Sequence, residues 1–93
     1  MKRLTTIGSD GRPMIPDSCL TQVEQGVVGE AADRLAKLES MCETLKQEQS
    51  LISEKMERLR LEGKTRTCQF RELASQKLLN TNLIALLKSY GIF

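Results

Sequence analysis

The sequence predicts an all-α chain, with a long coiled-coil helix over about residues 28–62 and a second, antiparallel helix over about 67–90. A short N-terminal arm or β-hairpin precedes them, and the whole is expected to be oligomeric. Three observations predict this. Val28, Ala31, Leu35, Leu38, Cys42, Leu45, Gln49, Ile52, Met56 and Leu59 form a ladder whose steps alternate three and four without a slip. A repeat averaging 3.5 residues keeps one seam toward a partner helix as the helix supercoils. Gly63-Lys64-Thr65-Arg66 then breaks the helical pattern, and short connections of this kind join antiparallel neighbours. Finally, the segment that follows is apolar on two opposite arcs, so one neighbouring helix cannot cover it.

The first segment is punctuated by Gly and Pro. Leu4 to Ile7 has the composition of a short strand, Ser9-Asp10-Gly11-Arg12 reads as a turn, and Met14-Ile15 can return alongside until Pro16 stops it. An isolated two-stranded hairpin is marginal in water, so an irregular arm competes equally with the hairpin. Asp17 or Ser18 can cap a short helix reaching Gln25, because a side-chain oxygen there accepts an orphan N–H. Residues 1–27 thus form the arm or hairpin and residues 28–93 the helical hairpin of one small domain.

The long helix would extend roughly 50 Å at its usual rise, too long for a compact monomer of 93 residues. Glu30 and Asp33 at its start and Arg58 and Arg60 at its end suit the helix dipole. The ladder from Leu35 through Leu38, Cys42, Leu45, Gln49, Ile52 and Met56 to Leu59 is read as the oligomer seam. Gln49 interrupts it, and a polar residue there can fix register by pairing with its symmetry mate. Arg34 and Glu39 could pair across a parallel dimer, whereas Lys55 and Arg60 at the same spacing would repel. That mixture favours an antiparallel or bundle arrangement.

Thr67 is a plausible N-cap for the second helix. Gly91 fits the left-handed position past its end, with Ile92 placed to pack back on Leu87. Phe70, Leu73, Ala74 and Ile84 make one apolar arc. Leu79, Leu83, Leu86 and Tyr90 make the opposite one, a predicted C-terminal interface with other copies.

Composition narrows the chemistry. The chain has no His, which removes the commonest general base and a favoured zinc ligand. Cys19, Cys42 and Cys68 are isolated and odd in number, as reduced thiols would be. No nucleophile, paired-carboxylate or cofactor pattern can be assembled. An enzyme, a metal site and a cofactor are therefore not expected. Gly63-Lys64-Thr65 copies the end of a phosphate-binding loop, but Arg58 stands where that loop needs Gly, and a helix precedes it instead of a strand. Met1-Lys2-Arg3 leads into no apolar run, and no stretch approaches ~18 apolar residues. The expected location is cytoplasmic, with no membrane partner.

Charge is uneven. Residues 30–62 carry six basic and eight acidic groups, whereas residues 63–93 carry five basic groups against Glu72 alone. Arg58, Lys64, Arg66 and Arg71 cluster around the connection, next to the free N–H groups that open the second helix. They are the candidate anion-binding residues. No aromatic interleaves them, so stacking on bases is not expected.

Met1-Lys2-Arg3-Leu4-Thr5-Thr6, Asp10-Gly11-Arg12-Pro13-Met14-Ile15-Pro16 and Ala32-Asp33-Arg34-Leu35-Ala36-Lys37-Leu38-Glu39 resemble small accessory proteins of phages and prophages of Gram-positive gut bacteria. The resemblance covers about the first forty residues and carries no functional residue. It implies a host bacterial cytoplasm and a protein that binds a component of bacterial immunity. Such a protein inhibits its target as an anti-CRISPR protein does, or sequesters a cyclic-nucleotide signal. A homo-oligomer with a bacterial host protein or nucleotide signal as partner is expected. The alternatives are a small nucleic-acid-binding regulator and a structural or assembly coiled-coil protein of a phage.

Overall fold

The structure, a computed structural model, describes residues Met1–Phe93. In chain order it contains β1 (Thr6–Ile7), β2 (Pro13–Met14), a 3-10 turn (Asp17–Cys19), β3 (Thr21–Val23), β4 (Gly26–Val28), α1 (Glu30–Leu61) and α2 (Cys68–Ser89). The chain is mostly helical, with two small antiparallel strand pairs. It gathers into two compact units, Met1–Ser40 and Met41–Phe93, and α1 contributes to each.

In the first unit β1 and β2 pair antiparallel, Thr6 with Met14 and Ile7 with Pro13. The turn between them is held locally. Gly8 N–H donates to the Arg12 carbonyl at 2.8 Å, and the Asp10 carboxylate accepts from Arg12 N–H at 3.1 Å. Gly11 sits at φ +80°, which a residue with a Cβ adopts only at a cost. Of arm and hairpin, the hairpin forms, though with strands of two residues.

The expected helix from Asp17 or Ser18 to Gln25 does not form. Asp17–Cys19 is a single 3-10 turn with no side-chain cap, and a second hairpin follows, pairing Thr21 with Val28 and Gln22 with Val27. Its strands hold Thr21, Val23, Val27 and Val28, β-branched residues whose restricted χ1 suits a pleated strand better than a helix. Val28 therefore belongs to β4, and α1 begins at Glu30 instead of 28. Gly29 explains the switch. It stands at φ +141°, and a Cβ there would lie 2.3 Å from the Cys19 carbonyl oxygen. Strand and helix thus meet at a residue that must be Gly.

Leu4 and Ala31 are the buried apolar residues of this unit. The Arg34 guanidinium donates to the Lys2 carbonyl and faces Glu30 at 3.4 Å, tying the N-terminal segment to the first turns of α1. Leu35, placed in the seam by its spacing, is 57% exposed.

In the second unit the later turns of α1 and all of α2 form a helical hairpin. Gly63 at φ +73° ends α1, with Gly63 N–H on the Arg60 carbonyl and Lys64 N–H on the Leu59 carbonyl. Gly91 at φ +76° ends α2 the same way, with Ile92 N–H on the Leu87 carbonyl at 3.0 Å. Both are Schellman stops, in which a left-handed Gly lets the last carbonyls find donors. The Thr67 hydroxyl caps α2 by accepting from Phe70 N–H at 3.2 Å.

Leu45, Ile52 and Leu59, seven residues apart, are buried at 6–7% exposure, and Cys42 before them and Met56 among them are half-buried. From α2, Phe70, Leu73, Ala74, Ile84 and Leu87 are half-buried. A polar layer crosses this seam. The Gln49 amide donates to the Lys77 carbonyl at 3.3 Å and to the Thr81 hydroxyl at 3.0 Å. Asn80, 1% exposed, donates to Glu48 at 3.2 Å and accepts from Gln76 at 2.9 Å. The symmetry pairing foreseen for Gln49 gives way to bonds within one chain. Leu45, Ile52 and Leu59 are buried within one chain.

Leu45→Asp places a charge in a desolvated layer, a penalty of several kcal/mol. Its melting curve by circular dichroism should collapse to low temperature, and an unchanged melt would mean the seam does not hold the hairpin. Gly29→Ala should destabilise through the contact with Cys19 and the positive φ, by about 1–3 kcal/mol, read in the same melt.

Candidate functional site

The hairpin tip carries the candidate anion residues. Arg58 comes from the last turns of α1, Lys64 and Arg66 from the connection, and Arg71 from the first turn of α2, and all four are exposed. Their surroundings differ. Lys64 pairs with Glu62 at 3.1 Å, and the neighbouring Arg60 pairs with Glu57 and stands 6.0 Å over the Phe70 ring. No ion pair engages Arg58, Arg66 or Arg71. Thr67 already occupies one N–H at the start of α2, and its hydroxyl donates to the Lys64 carbonyl at 2.9 Å. The four cations of the tip thus stand in solvent. Arg71 lines a shallow concavity with Glu72, Ser75, Gln76 and Leu79.

The second surface is the outward face of α2. At 100° per residue, Ser75, Gln76, Leu79, Asn82, Leu83, Leu86, Ser89 and Tyr90 share one side, which carries no charge beyond Arg71 and Glu72 at its start. That absence is informative in a chain that is 28% charged, because interface cores are depleted of charge. Leu79 is 53%, Leu86 56% and Tyr90 77% exposed, while Leu83 is half-buried. The two arcs expected of α2 are both present, one turned to α1 and the other bare.

Sequence reasoning missed the partners of the polar layer. Asn80 was readable in hindsight, because Phe70, Leu73, Lys77, Asn80, Ile84 and Leu87 repeat the three–four spacing of α1. Its polar member falls level with Gln49. No helix is long and apolar enough to cross a membrane. No protein-family model, curated protein or solved structure matches this chain.

The double variant Arg66→Ala with Arg71→Ala removes two unpaired cations outside the packed seam. Helical content by circular dichroism should stay intact. Binding to an anionic partner should fall about a hundredfold if each contact contributes ~1.5 kcal/mol or more. Titrations with duplex DNA and with a cyclic dinucleotide check it, and unchanged affinity for a ligand that does bind would move the site away from the tip.

Proposed function

We propose that this chain is a non-enzymatic helical module that self-associates and acts by binding, as a phage-type antagonist of bacterial immunity in the host cytoplasm. The observation that carries the reading is the apolar ladder in which Leu79, Leu86 and Tyr90 are exposed and Leu83 is half-buried. A soluble chain does not keep a row of large apolar side chains in water without use. Self-association places more than one cationic tip on each assembly. The phage context comes from the resemblance of the first forty residues. In that context the target is a host immunity protein, which the oligomer blocks, or a cyclic-nucleotide signal, which it sequesters.

A second reading has its own support. Arg58, Arg66 and Arg71 lack ion-pair partners, and phosphates of a nucleic acid would suit them. A small DNA-binding regulator built this way would lose affinity steeply with added salt. A structural role in phage assembly has no comparable feature in its favour.

Light scattering should return a multiple of the 10.5 kDa chain mass, and Leu86→Glu should return the single-chain mass with helicity unchanged. When the wild-type chain is expressed in bacteria carrying a nucleotide-signalled or CRISPR defence, plating of a targeted phage should rise by orders of magnitude. Leu86→Glu should not restore it. Normal defence in the presence of well-expressed wild-type protein would exclude the inhibitor reading for that system.

A further inference from the structure

We propose that the partner on the outward face of α2 is α2 of a second copy, packed antiparallel, so that the two cationic hairpin tips point away from each other. The proposal rests on the self-association reading and specifies its geometry. Glu72, Gln76, Leu79, Leu83, Leu86 and Tyr90 form a ladder with steps of four and three on this face, the spacing that lets side chains of two helices interlock. The small polar residues Ser75, Asn82 and Ser89 flank it and permit close approach.

The two ends of the ladder differ, and the difference selects the orientation. Near the start of α2 lies the shallow concavity of Arg71, Glu72, Ser75, Gln76 and Leu79. Near its end Leu86 and Tyr90 are exposed, at 56% and 77%, with no charged side chain on that part of the face. A parallel pair would set Glu72 against the partner's Glu72, like charges directly opposed, and leave the two concavities facing each other. An antiparallel pair centred at the level of Thr81 sets Leu79 against the partner's Leu83. Leu86 then lies over the partner's concavity, and Tyr90 comes beside the partner's Glu72, where its phenol O–H can donate to the carboxylate. The charged start of each helix thus meets the apolar end of its partner, once at each end of the two-fold pair. A single helix face is small for an interface, so the dimer is expected to be concentration-dependent.

Cys68, exposed at the start of α2, reports the geometry directly. It lies 13 residues from the Thr81 level, so in the antiparallel pair two spin labels on Cys68 stand roughly 40 Å apart at the helical rise. In a parallel pair they stand within about 20 Å. The measurement is a pulsed electron–electron distance in Cys19→Ser/Cys42→Ala. The wild-type chain labelled at its one exposed cysteine serves if that variant loses helicity. A dimer mass with a distance near 40 Å is the expected result, and both should vanish in Leu86→Glu. A dimer with the short distance overturns the antiparallel arrangement and leaves self-association standing. A dimer insensitive to Leu86→Glu puts the interface elsewhere and overturns the proposal, and a single-chain mass at every concentration up to about 100 µM overturns self-association as well.

Discussion

The rest of the second unit depends on the packing of α1 against α2 across Leu45, Ile52 and Leu59. Neither helix has a reason to persist alone. Isolated helices gain little from backbone bonds once their ordering cost is counted, and most helical stability in proteins comes from burying a face. Three buried aliphatic layers with half-buried neighbours supply that face here. The two Schellman glycines and the Thr67 cap are secondary: they settle where the helices stop. They do not make the helices adhere.

Once the inner face of α2 is committed to α1, its rotation about its own axis is set. Leu79, Leu86 and Tyr90 then have nowhere to go but solvent. Extra apolar residues on the seam would have gone into the core. Placed on the other arc, they stay exposed. Arg71 and Glu72 share a shallow concavity with Leu79 on that arc.

The helices were legible because their signals are long. The α1 ladder sustains its spacing over many turns, and Gly63, Thr67 and Gly91 each mark a boundary by a local mechanism that needs no tertiary context. The N-terminal hairpins were less legible because their strands are two or three residues long, too short for alternation to register. The false helix toward Gln25 followed from trusting a capping residue at Asp17 over the β-branched Thr21, Val23, Val27 and Val28. Gly29 shows why local reading stops short: its requirement comes from the Cys19 carbonyl, ten residues away and visible only in three dimensions. For the surfaces, the bare arc of α2 was legible from periodicity alone. Which cations are paired was not, since that depends on side-chain positions such as Lys64 against Glu62.

Gln49 shows what the seam gains from an imperfect fit. Its carbonyl oxygen is buried with no donor, a cost of about 1–3 kcal/mol against an apolar replacement. Leu45, Ile52 and Leu59 repeat every seven residues, so an all-apolar seam would accept α2 almost as well after a slide of one heptad. The polar layer removes that degeneracy. Gln49 finds the Lys77 carbonyl and the Thr81 hydroxyl, and Asn80 finds Glu48, in one register only. After a slide, the Gln49 amide would meet the apolar surroundings of Leu73 and Ala74 or of Ile84 and Leu87, and Asn80 would be buried without its carboxylate. Two unsatisfied polar groups would then outweigh the orphaned oxygen of the native register. The layer lowers stability slightly while fixing register. Register in turn decides which residues of α2 stand level with the tip and which face outward, and so the geometry of any assembly built on that face.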